Sequence, residues 1–473
     1  MTAQTILPAN SVVDTGFNVD NSARFDGSSY LHRTPSATGN PKKWTYSVWV
    51  KMAPENPGYF LSSGSGTQSK FIFGAYGGAD IDILTYEGYV VNANTARLFR
   101  DSSAWYHMVL AVDTTQSAAA NGVKLYINGV QETLTFNTEG SENGYTQDTS
   151  LRVGTNNEPI HIGRDINDAG HWKGYMAECA LVNDAQLAPT SFGEFDSDSG
   201  IWKPIDISGL TFGTNGFHLD FKDSSAFGND VSGNNNDFTV VGLAATDQST
   251  DTCTNNFTTM NPLAYRLDSG VSLPTYSEGN TVVSYADDSG AGKSTMATIG
   301  FQNGKWYWEY KVGTANDTIF GGITRMDYDP NDNFAGRSCY YNKTGAFSVG
   351  TGTGGTADAN YGDSYTTDDI IGVAFDCDNG VIWFSKNGTW QNSATIAEIG
   401  AGTTTNSATT GITLNQFWSP FFEGANGGIS ANFGSPAYAI SSGNTDGDGY
   451  GNFEYAVPSG YFAINTKNLA EYG

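Results

Sequence analysis

Cations, paired cysteines and long apolar runs are all scarce in this sequence. Its 473 residues include 23 Lys and Arg against 49 Asp and Glu, which gives a formal net charge of −26. Such a charge repels a phosphate backbone and an anionic membrane surface, so we expect no nucleic-acid partner. The four cysteines are far apart and form no Cys-x-x-Cys pair, which excludes zinc-ribbon and thioredoxin-type sites. No apolar run is long enough to span a bilayer, so we expect no membrane insertion.

The residues that are abundant favour strands and tight turns. Glycine reaches 58 residues and aromatic residues 13% of the chain. The stretch VKLYINGVQETLTF (residues 123–136) predicts two strands joined at Asn128-Gly129, because both central residues of a type I′ turn need positive φ. Many such segments and the lack of a long helical period predict an all-β fold of two tandem antiparallel β-sandwiches.

Composition and strand pattern divide the chain into four parts. Residues 1–17 form a short arm, which we interpret as a docking segment because TILPA within it is apolar. Residues 18–200 carry a first strand series, and residues 201–262 form a connector rich in Gly, Asn and Asp that is associated with the first domain. A second strand series occupies residues 263–473, and it shows no fixed repeat with the first.

The first strand series resembles a known lectin fold. The segments RFDGSSYL, WTYSVWVK, KLYINGV and IGRDINDAGHWKGYMAECALVNDAQLAPTSFGEFD are similar to a concanavalin A-type, laminin G-like lectin domain. Followed by GIWKPIDISGLTFGTNGFHLDF and GNDVSGNNNDFT, they resemble in particular the version found in bacteriophage structural proteins. This resemblance covers roughly residues 18–262.

The second strand series resembles a SPRY domain. GKWYWEYKV, GGITR, DDIIGVAFDCDNGVIWFSKNGTW and ANFG are similar to its strands, and VPSGYFAINTKNLAEYG resembles the C-terminal end of the same phage proteins. Ala470 stands where a proline is common in that ending.

Together the two resemblances imply a non-enzymatic protein on the surface of a bacteriophage virion, such as a tail fibre, a tail spike or a head decoration. The implied partners are other virion proteins and host cell-surface polysaccharide, and the implied assembly is a homo-oligomer, specifically a trimer. The first residues, MTAQTILPANSVVDTG, show no basic region followed by an apolar segment, so we expect assembly in a host cytoplasm rather than secretion. A purely structural decoration without glycan binding and a glycan hydrolase are the alternatives.

Loops at the ends of sandwiches are where such scaffolds bind ligands, and sugars need an aromatic face and a few polar groups. The candidate ligand-binding residues are Arg164, Asp165, Asn167, His171 and Trp172 in the first domain, and Asp327, Tyr328, Tyr340 and Tyr341 in the second. The alternative for Trp172 is that it covers the sandwich edge or lies in the core.

No catalytic residue is predicted, because a glycan hydrolase needs two carboxylates that flank the scissile bond. The nearest match to such a motif, EFDSDSG from Glu194, has no second Glu and follows the last strands of the domain. Calcium is the one cofactor that the residues suit, because oxygen ligands on turns bind it. The candidate ligands are Asp220, Asp223, Asp230 and Asp237, although Asx-turns explain the same residues without a metal.

Overall fold

The structure is a computed structural model that describes residues 16–53, 57–66, 69–75, 77–86, 90–138, 144–267, 272–286, 293–315, 319–327, 338–349, 356–358 and 360–473. The described residues form two compact units, divided between Thr254 and Asn255. The sequence pattern placed the boundary after residue 262, inside a strand of the second unit. The difference arises because Phe257 and Met260 are buried in the cores of the second unit.

The regular secondary structure of the first unit, residues 16–254, consists almost entirely of strands. They are β1 (Ser22–Asp26), β2 (Tyr30–Arg33), β3 (Lys43–Met52), β4 (Gly58–Gly66), β5 (Ser69–Ala75), β6 (Asp82–Thr85), β7 (Asn92–Thr95), β8 (Trp105–Asp113), β9 (Val123–Ile127), β10 (Val130–Gln131), β11 (Leu134–Phe136), β12 (Ile160–Ile162), β13 (Lys173–Asn183), β14 (Gly193–Phe195), β15 (Trp202–Pro204), β16 (Phe217–Leu219), β17 (Thr239–Val241) and β18 (Gln248–Ser249). The short helix α1 (Ala119–Gly122) and two 3₁₀ turns (Pro189–Ser191 and Ala245–Asp247) complete the unit.

Two eight-stranded antiparallel sheets make the first sandwich. The first sheet has the order β10-β9-β8-β3-β13-β1-β18, with β16 also paired to β13, and the second sheet has the order β11-β7-β6-β5-β4-β12-β2-β17. Alternate residues of each strand meet between the sheets, as with Tyr46 and Val48 of β3 opposite Phe71 and Phe73 of β5. The predicted hairpin at Asn128-Gly129 is confirmed, with φ of 48° and 78°.

The outer face of the first sheet is buried as well, beneath the connector that the sequence predicted. Trp49 of β3 packs with Trp202 of β15 in a second apolar cluster. On the same face, Lys51 Nζ lies 2.7 Å from the buried carboxylate of Asp251. The connector therefore forms a third layer of the first unit, and this explains why β3 is buried on both sides.

The second unit, residues 255–473, is a second sandwich. Its strands are β19 (Met260–Leu267), β20 (Thr275–Ser277), β21 (Val282–Tyr285), β22 (Lys293–Ala297), β23 (Lys305–Ala315), β24 (Ile319–Arg325), β25 (Ser338–Asn342), β26 (Phe347–Val349), β27 (Thr356–Asp358), β28 (Ile370–Asp376), β29 (Val381–Lys386), β30 (Thr389–Trp390), β31 (Trp418–Gly424), β32 (Gly427–Asn432) and β33 (Phe462–Ala463), and its helices are α2 (Ile396–Gly400) and α3 (Thr466–Tyr472).

A seven-stranded sheet (β19-β22-β31-β24-β25-β26-β27) faces an eight-stranded sheet (β20-β21-β32-β23-β28-β29-β30, with β33 paired to β23). Trp306, Trp308 and Tyr310 of β23 point into the core between these sheets, whereas Tyr307 lies on the other face against Phe453 of the C-terminal segment. The predicted fold class, two tandem antiparallel β-sandwiches, is confirmed.

In the parts of the chain that the structure describes, there is no helix long and apolar enough to cross a membrane.

Candidate functional site

A polar aromatic patch lies on the outer face of the second sheet of the first unit. Leu31 of β2 and Ile160 and Ile162 of β12 point into the core, so their neighbours in the strands point outward. The two strands are antiparallel with His161 directly opposite His32. We call the resulting surface the Tyr30 patch; its members are Tyr30, His32, His161, Arg164, Asp168 and His171.

The rings of the patch are in mutual contact. The centroid of the Tyr30 ring lies 5.8 Å from that of His32, 6.0 Å from that of His161 and 6.1 Å from that of His171. The centroids of His32 and His161 are 5.7 Å apart. Three of the five histidines of the chain therefore meet around one tyrosine, although they are far apart in the sequence.

Arg164 covers the tyrosine ring with its guanidinium group. Its Cζ lies 3.5 Å from the ring centroid of Tyr30, which is a close cation–π contact. Its Nη1 donates to Oδ1 of Asp168, and the same oxygen lies 3.1 Å from Nε2 of His171. A ligand at this surface would therefore meet the guanidinium group rather than the open face of the tyrosine.

Asp165 anchors the loop that carries Arg164, Asp168 and His171. This carboxylate forms a buried ion pair with Lys70, and its Oδ1 accepts hydrogen bonds from the backbone N–H groups of Asn167 (2.7 Å) and Ala169 (3.0 Å). Ser62 Oγ donates to the carbonyl of Arg164 at 2.9 Å. A loop held at this many points keeps its exposed side chains in place before a ligand arrives, which lowers the entropy cost of binding.

The electrostatics of the patch keep its strand histidines neutral at neutral pH. Burial, followed by the positive charge of Arg164, lowers the pKa of His32. Burial, Arg164 and His32 together lower the pKa of His161 to about 4. A neutral imidazole has one N–H donor and one acceptor nitrogen, so a sugar hydroxyl can accept a hydrogen bond from the first or donate one to the second.

Two of the predicted first-domain residues are in the patch, and the others have different roles. Arg164 and His171 are brought together by the loop, and Asn167 is exposed beside them. Asp165 is buried with Lys70 and anchors the loop. Trp172 has no exposed surface and packs on Phe60 with ring centroids 4.9 Å apart, so its predicted role in sugar stacking is corrected: it is a core residue.

The three described residues among those predicted for the second unit have different environments. Tyr341 is fully buried in the core, because it alternates with Tyr340 on β25, and it cannot contact a ligand there. Tyr340 is half-buried and stacks on Phe320 at 4.1 Å. Asp327 forms an exposed ion pair with Arg325. Tyr328 lies outside the described residues.

A groove of about 280 Å³ lies at the ends of β21, β23 and β32 in the second unit. Gly313, Gly427 and Gly428 leave space between Tyr285 and Ile429, and no charged residue lines it. None of the predicted ligand-binding residues contributes to this groove.

The four candidate calcium ligands are engaged in turns of the connector. Both oxygens of Asp230 are occupied, by the N–H groups of His218 (2.9 Å) and Ser232 (2.9 Å) on one and by the N–H of Asn236 (2.8 Å) on the other. Asp237 accepts from the backbone N–H of Asp230 at 2.9 Å.

Asp220 and Asp223 make Asx-type bonds to the N–H groups of Lys222 (3.2 Å) and Ser225 (2.8 Å). Among the described residues there is no group of three or more His, Cys, Asp or Glu side chains placed to hold a metal ion, so these four aspartates do not form one.

Glu194, the nearest candidate for a hydrolytic carboxylate, lies on a separate two-stranded ribbon of β14 and β15. It is exposed, and its Oε1 is 3.5 Å from Nζ of Lys203.

Sequence reasoning missed Tyr30, His32, His161 and Asp168. Only the alternation of polar and apolar residues in YLHR and IHI could have indicated that Tyr30, His32 and His161 point outward. Nothing in the sequence showed that β2 and β12 are neighbours.

Comparisons with known proteins agree with this architecture. Residues 25–189 are matched by the family model described as the concanavalin A-like lectin/glucanases superfamily, and residues 305–404 by that of the SPRY domain. No curated protein matches the chain.

Similar solved structures include the SPRY domain of human HERC1 (15% identity, 36% of this chain and 96% of that chain, TM-score 0.28). A heptameric SAP-like pentraxin from Limulus polyphemus is similar at 14% identity, with 37% of this chain and 80% of that chain covered and a TM-score of 0.27. A putative carbohydrate binding protein from Bacteroides ovatus is similar at 14% identity, with 48% of this chain and 61% of that chain covered and a TM-score of 0.30. The two family matches assign a concanavalin A-like lectin/glucanase domain to residues 25–189 and a C-terminal SPRY domain to residues 305–404.

Proposed function

We propose that this protein is a non-enzymatic glycan-binding protein of a bacteriophage virion surface, and that the Tyr30 patch is its sugar contact. The observation that carries the glycan-binding part is the grouping of three imidazoles, a guanidinium and a tyrosine on one outward face of a lectin-like sandwich. The virion part rests on the resemblance of residues 18–262 and of the C-terminal ending to phage structural proteins.

The chemistry of the patch supports binding rather than cleavage. Its carboxylate, Asp168, is bound by Arg164 and His171, and these contacts lower the pKa of Asp168. A general acid of a glycosidase needs a raised pKa and a second carboxylate across the scissile bond. No proton donor of this kind is supplied by the patch residues.

Such a shallow surface should bind one sugar weakly, with a dissociation constant of about 1 mM. Several copies acting together raise the avidity by about 10²–10⁴. The need for several copies agrees with the proposed homotrimer. The apolar segment within residues 1–17 is the proposed contact that holds the oligomer together. Deleting residues 1–17 should convert the oligomer to a monomer in light scattering, whereas an unchanged mass would remove the arm from the proposal.

The test of glycan binding uses the full chain on a printed array of bacterial surface polysaccharides. Wild type should bind a subset of the array, and His32→Ala should lose that binding while it keeps the wild-type melting temperature. Val130→Ala is the matched control, because Val130 is an exposed strand residue on the other sheet. Loss of binding in Tyr340→Ala but not in His32→Ala would move the site to the second unit.

Two further measurements separate the alternatives. An antibody against residues 255–473 should label the outside of intact phage particles; labelling without any glycan binding would identify a structural decoration. Release of reducing ends from a bound polysaccharide by wild type, lost in Glu194→Gln, would identify a hydrolase and overturn the non-enzymatic proposal.

A further inference from the structure

The carboxylate of Asp168 is held at the surface by two nitrogen donors. Its side chain is 74% exposed, yet Nη1 of Arg164 and Nε2 of His171 both contact its Oδ1. An ion pair with so exposed a carboxylate contributes little free energy, because water competes for the oxygens of Asp168. Another carboxylate or phosphate could therefore replace Asp168 at low cost.

The two donors are more firmly held than the carboxylate they bind. The Arg164 side chain is 14% exposed, and its guanidinium group lies on Tyr30. The His171 side chain is 19% exposed and is in edge contact with the same ring. The donors are thus preorganised, whereas Asp168 lies on the solvent side of the loop.

Three nitrogen atoms of the same patch are buried without a hydrogen-bond partner. They are Nε of Arg164, Nδ1 of His161 and Nδ1 of His171. His161 is itself more than nine-tenths buried, since only 7% of the residue is exposed. These three atoms are enclosed within the patch, so the nitrogens that face Asp168, Nη1 of Arg164 and Nε2 of His171, are the donors that a ligand would meet.

We propose that the Tyr30 patch recognises a sugar that carries an anionic group, a carboxylate or a phosphate, and that this group takes the place of the Asp168 carboxylate on Arg164 and His171. A guanidinium fork matches such a group with two parallel hydrogen bonds. A neutral sugar that displaced the Asp168 carboxylate would leave the charge of Arg164 without a counter-ion. This inference rests on the proposed glycan binding and narrows it to acidic glycans.

Asp168 then competes with the ligand for Arg164 and His171, so removing the charge of Asp168 should strengthen binding. Asp168→Asn should strengthen the binding of an anionic sugar by about two- to fivefold, since an exposed ion pair of ordinary strength no longer has to be broken. Asn is suited to this position because Asp168 has a φ of 61°. Arg164→Gln should weaken the same binding by about tenfold or more, and Arg164→Lys should restore it only in part.

The experiment measures binding of methyl glucuronide, glucose 6-phosphate and methyl glucoside to the full chain by ligand-observed NMR. Methyl glucoside is the neutral counterpart of the glucuronide. All proteins are compared in about 0.15 M salt, where the field of the net charge is screened beyond about 8 Å. Thermal melts check that each variant is folded.

Tighter binding of the glucuronide or the phosphate than of the glucoside, increased by Asp168→Asn and lost in Arg164→Gln, supports the inference. The sugar that binds then identifies the source of the charge. Equal binding of all three sugars, an Arg164→Gln variant that binds like wild type, or binding of none of them overturns it. If the polysaccharide array still shows binding through His32, the proposed function stands while this inference fails; if the array shows none, the proposed function fails as well.

Discussion

Acidification should destabilise the first unit through His107, a buried residue outside the Tyr30 patch. Its ring lies between Trp49 (centroids 4.5 Å apart, 15° between planes) and Trp202 (6.0 Å, 22°). Nε1 of Trp202 donates to Nδ1 of His107 at 2.9 Å, and Nε2 of His107 is 2.8 Å from Oγ of Ser47. Because an indole N–H can only donate, Nδ1 must accept, and Nε2 carries the proton and donates to Ser47.

A second proton on this ring would break the bond to Trp202 and place a charge in the interior. Burial accordingly lowers the pKa of His107 from 6.5 to about 3. In the unfolded chain the ring regains its ordinary pKa, so the unfolded state takes up the proton first as the pH falls. The stabilisation is complete above about pH 6.5 and is lost as the pH falls towards about 3. At about pH 4.5 the loss from this one residue is about 2.5 kcal/mol.

The assay is urea unfolding of the full chain, followed by tryptophan fluorescence at about pH 7.5 and pH 4.5. Wild type should lose about 2.5 kcal/mol more than His107→Gln between the two pH values, because Gln does not titrate. Trp202→Phe is a matched variant: it keeps an aromatic ring but removes the donor to Nδ1, so the pKa of His107 should rise and the pH dependence should become shallower.

An NMR titration of the His107 ring in wild type checks the same reasoning without a variant. The ring should remain neutral at pH values where an ordinary histidine is charged. A ring that takes up its proton near pH 6.5 in the folded protein, or equal pH dependence in wild type and His107→Gln, would refute the argument.

The remaining predictions concern the cores and the division between the units. Trp172→Ala should lower the free energy of unfolding by about 3–5 kcal/mol in denaturant titrations, because the side chain is fully buried; a change within experimental error would show that it is not in the core. A fragment of residues 255–473 should melt cooperatively in calorimetry, whereas residues 263–473, which lack Phe257 and Met260, should melt at a lower temperature; the reverse order would contradict the division found here. Glu309→Ala should destabilise the second unit by about 2–4 kcal/mol in chemical denaturation, because the buried carboxylate accepts from Tyr307, Asn432 and two backbone N–H groups of the C-terminal segment; an unchanged midpoint would count against this role.

The local structure of this protein followed largely from the sequence. Alternation of apolar and polar residues in segments such as WTYSVWVKM predicted strands, because successive side chains of a strand point to opposite faces. Asn128-Gly129 predicted its hairpin, because few residue pairs tolerate positive φ at both turn positions. The order of motifs along the chain predicted two different sandwiches, and the family comparisons agree.

Tertiary structure determined which side chains outside the main core are also buried. Trp49 and Lys51 lie on the face of β3 that does not meet the second sheet, and the connector covers them and supplies Trp202 and Asp251 as partners. Trp172 in a polar loop sequence suggested a ligand contact, yet the loop turns its ring towards Phe60. Burial of a side chain on a strand or loop depends on what packs over it, and local pattern does not contain that information.

For the same reason, only two of the six residues of the Tyr30 patch were predicted from the sequence. Arg164 and His171 stood out because they share one short loop. Tyr30, His32 and His161 join them only because β2 and β12 are paired in a register that places His161 opposite His32. Sheet order and register are set by the packing of the whole sandwich, because each strand must place its apolar side in the common core. Tertiary structure thus decided which polar residues share a surface, whereas the sequence determined only which residues of one strand lie on the same face.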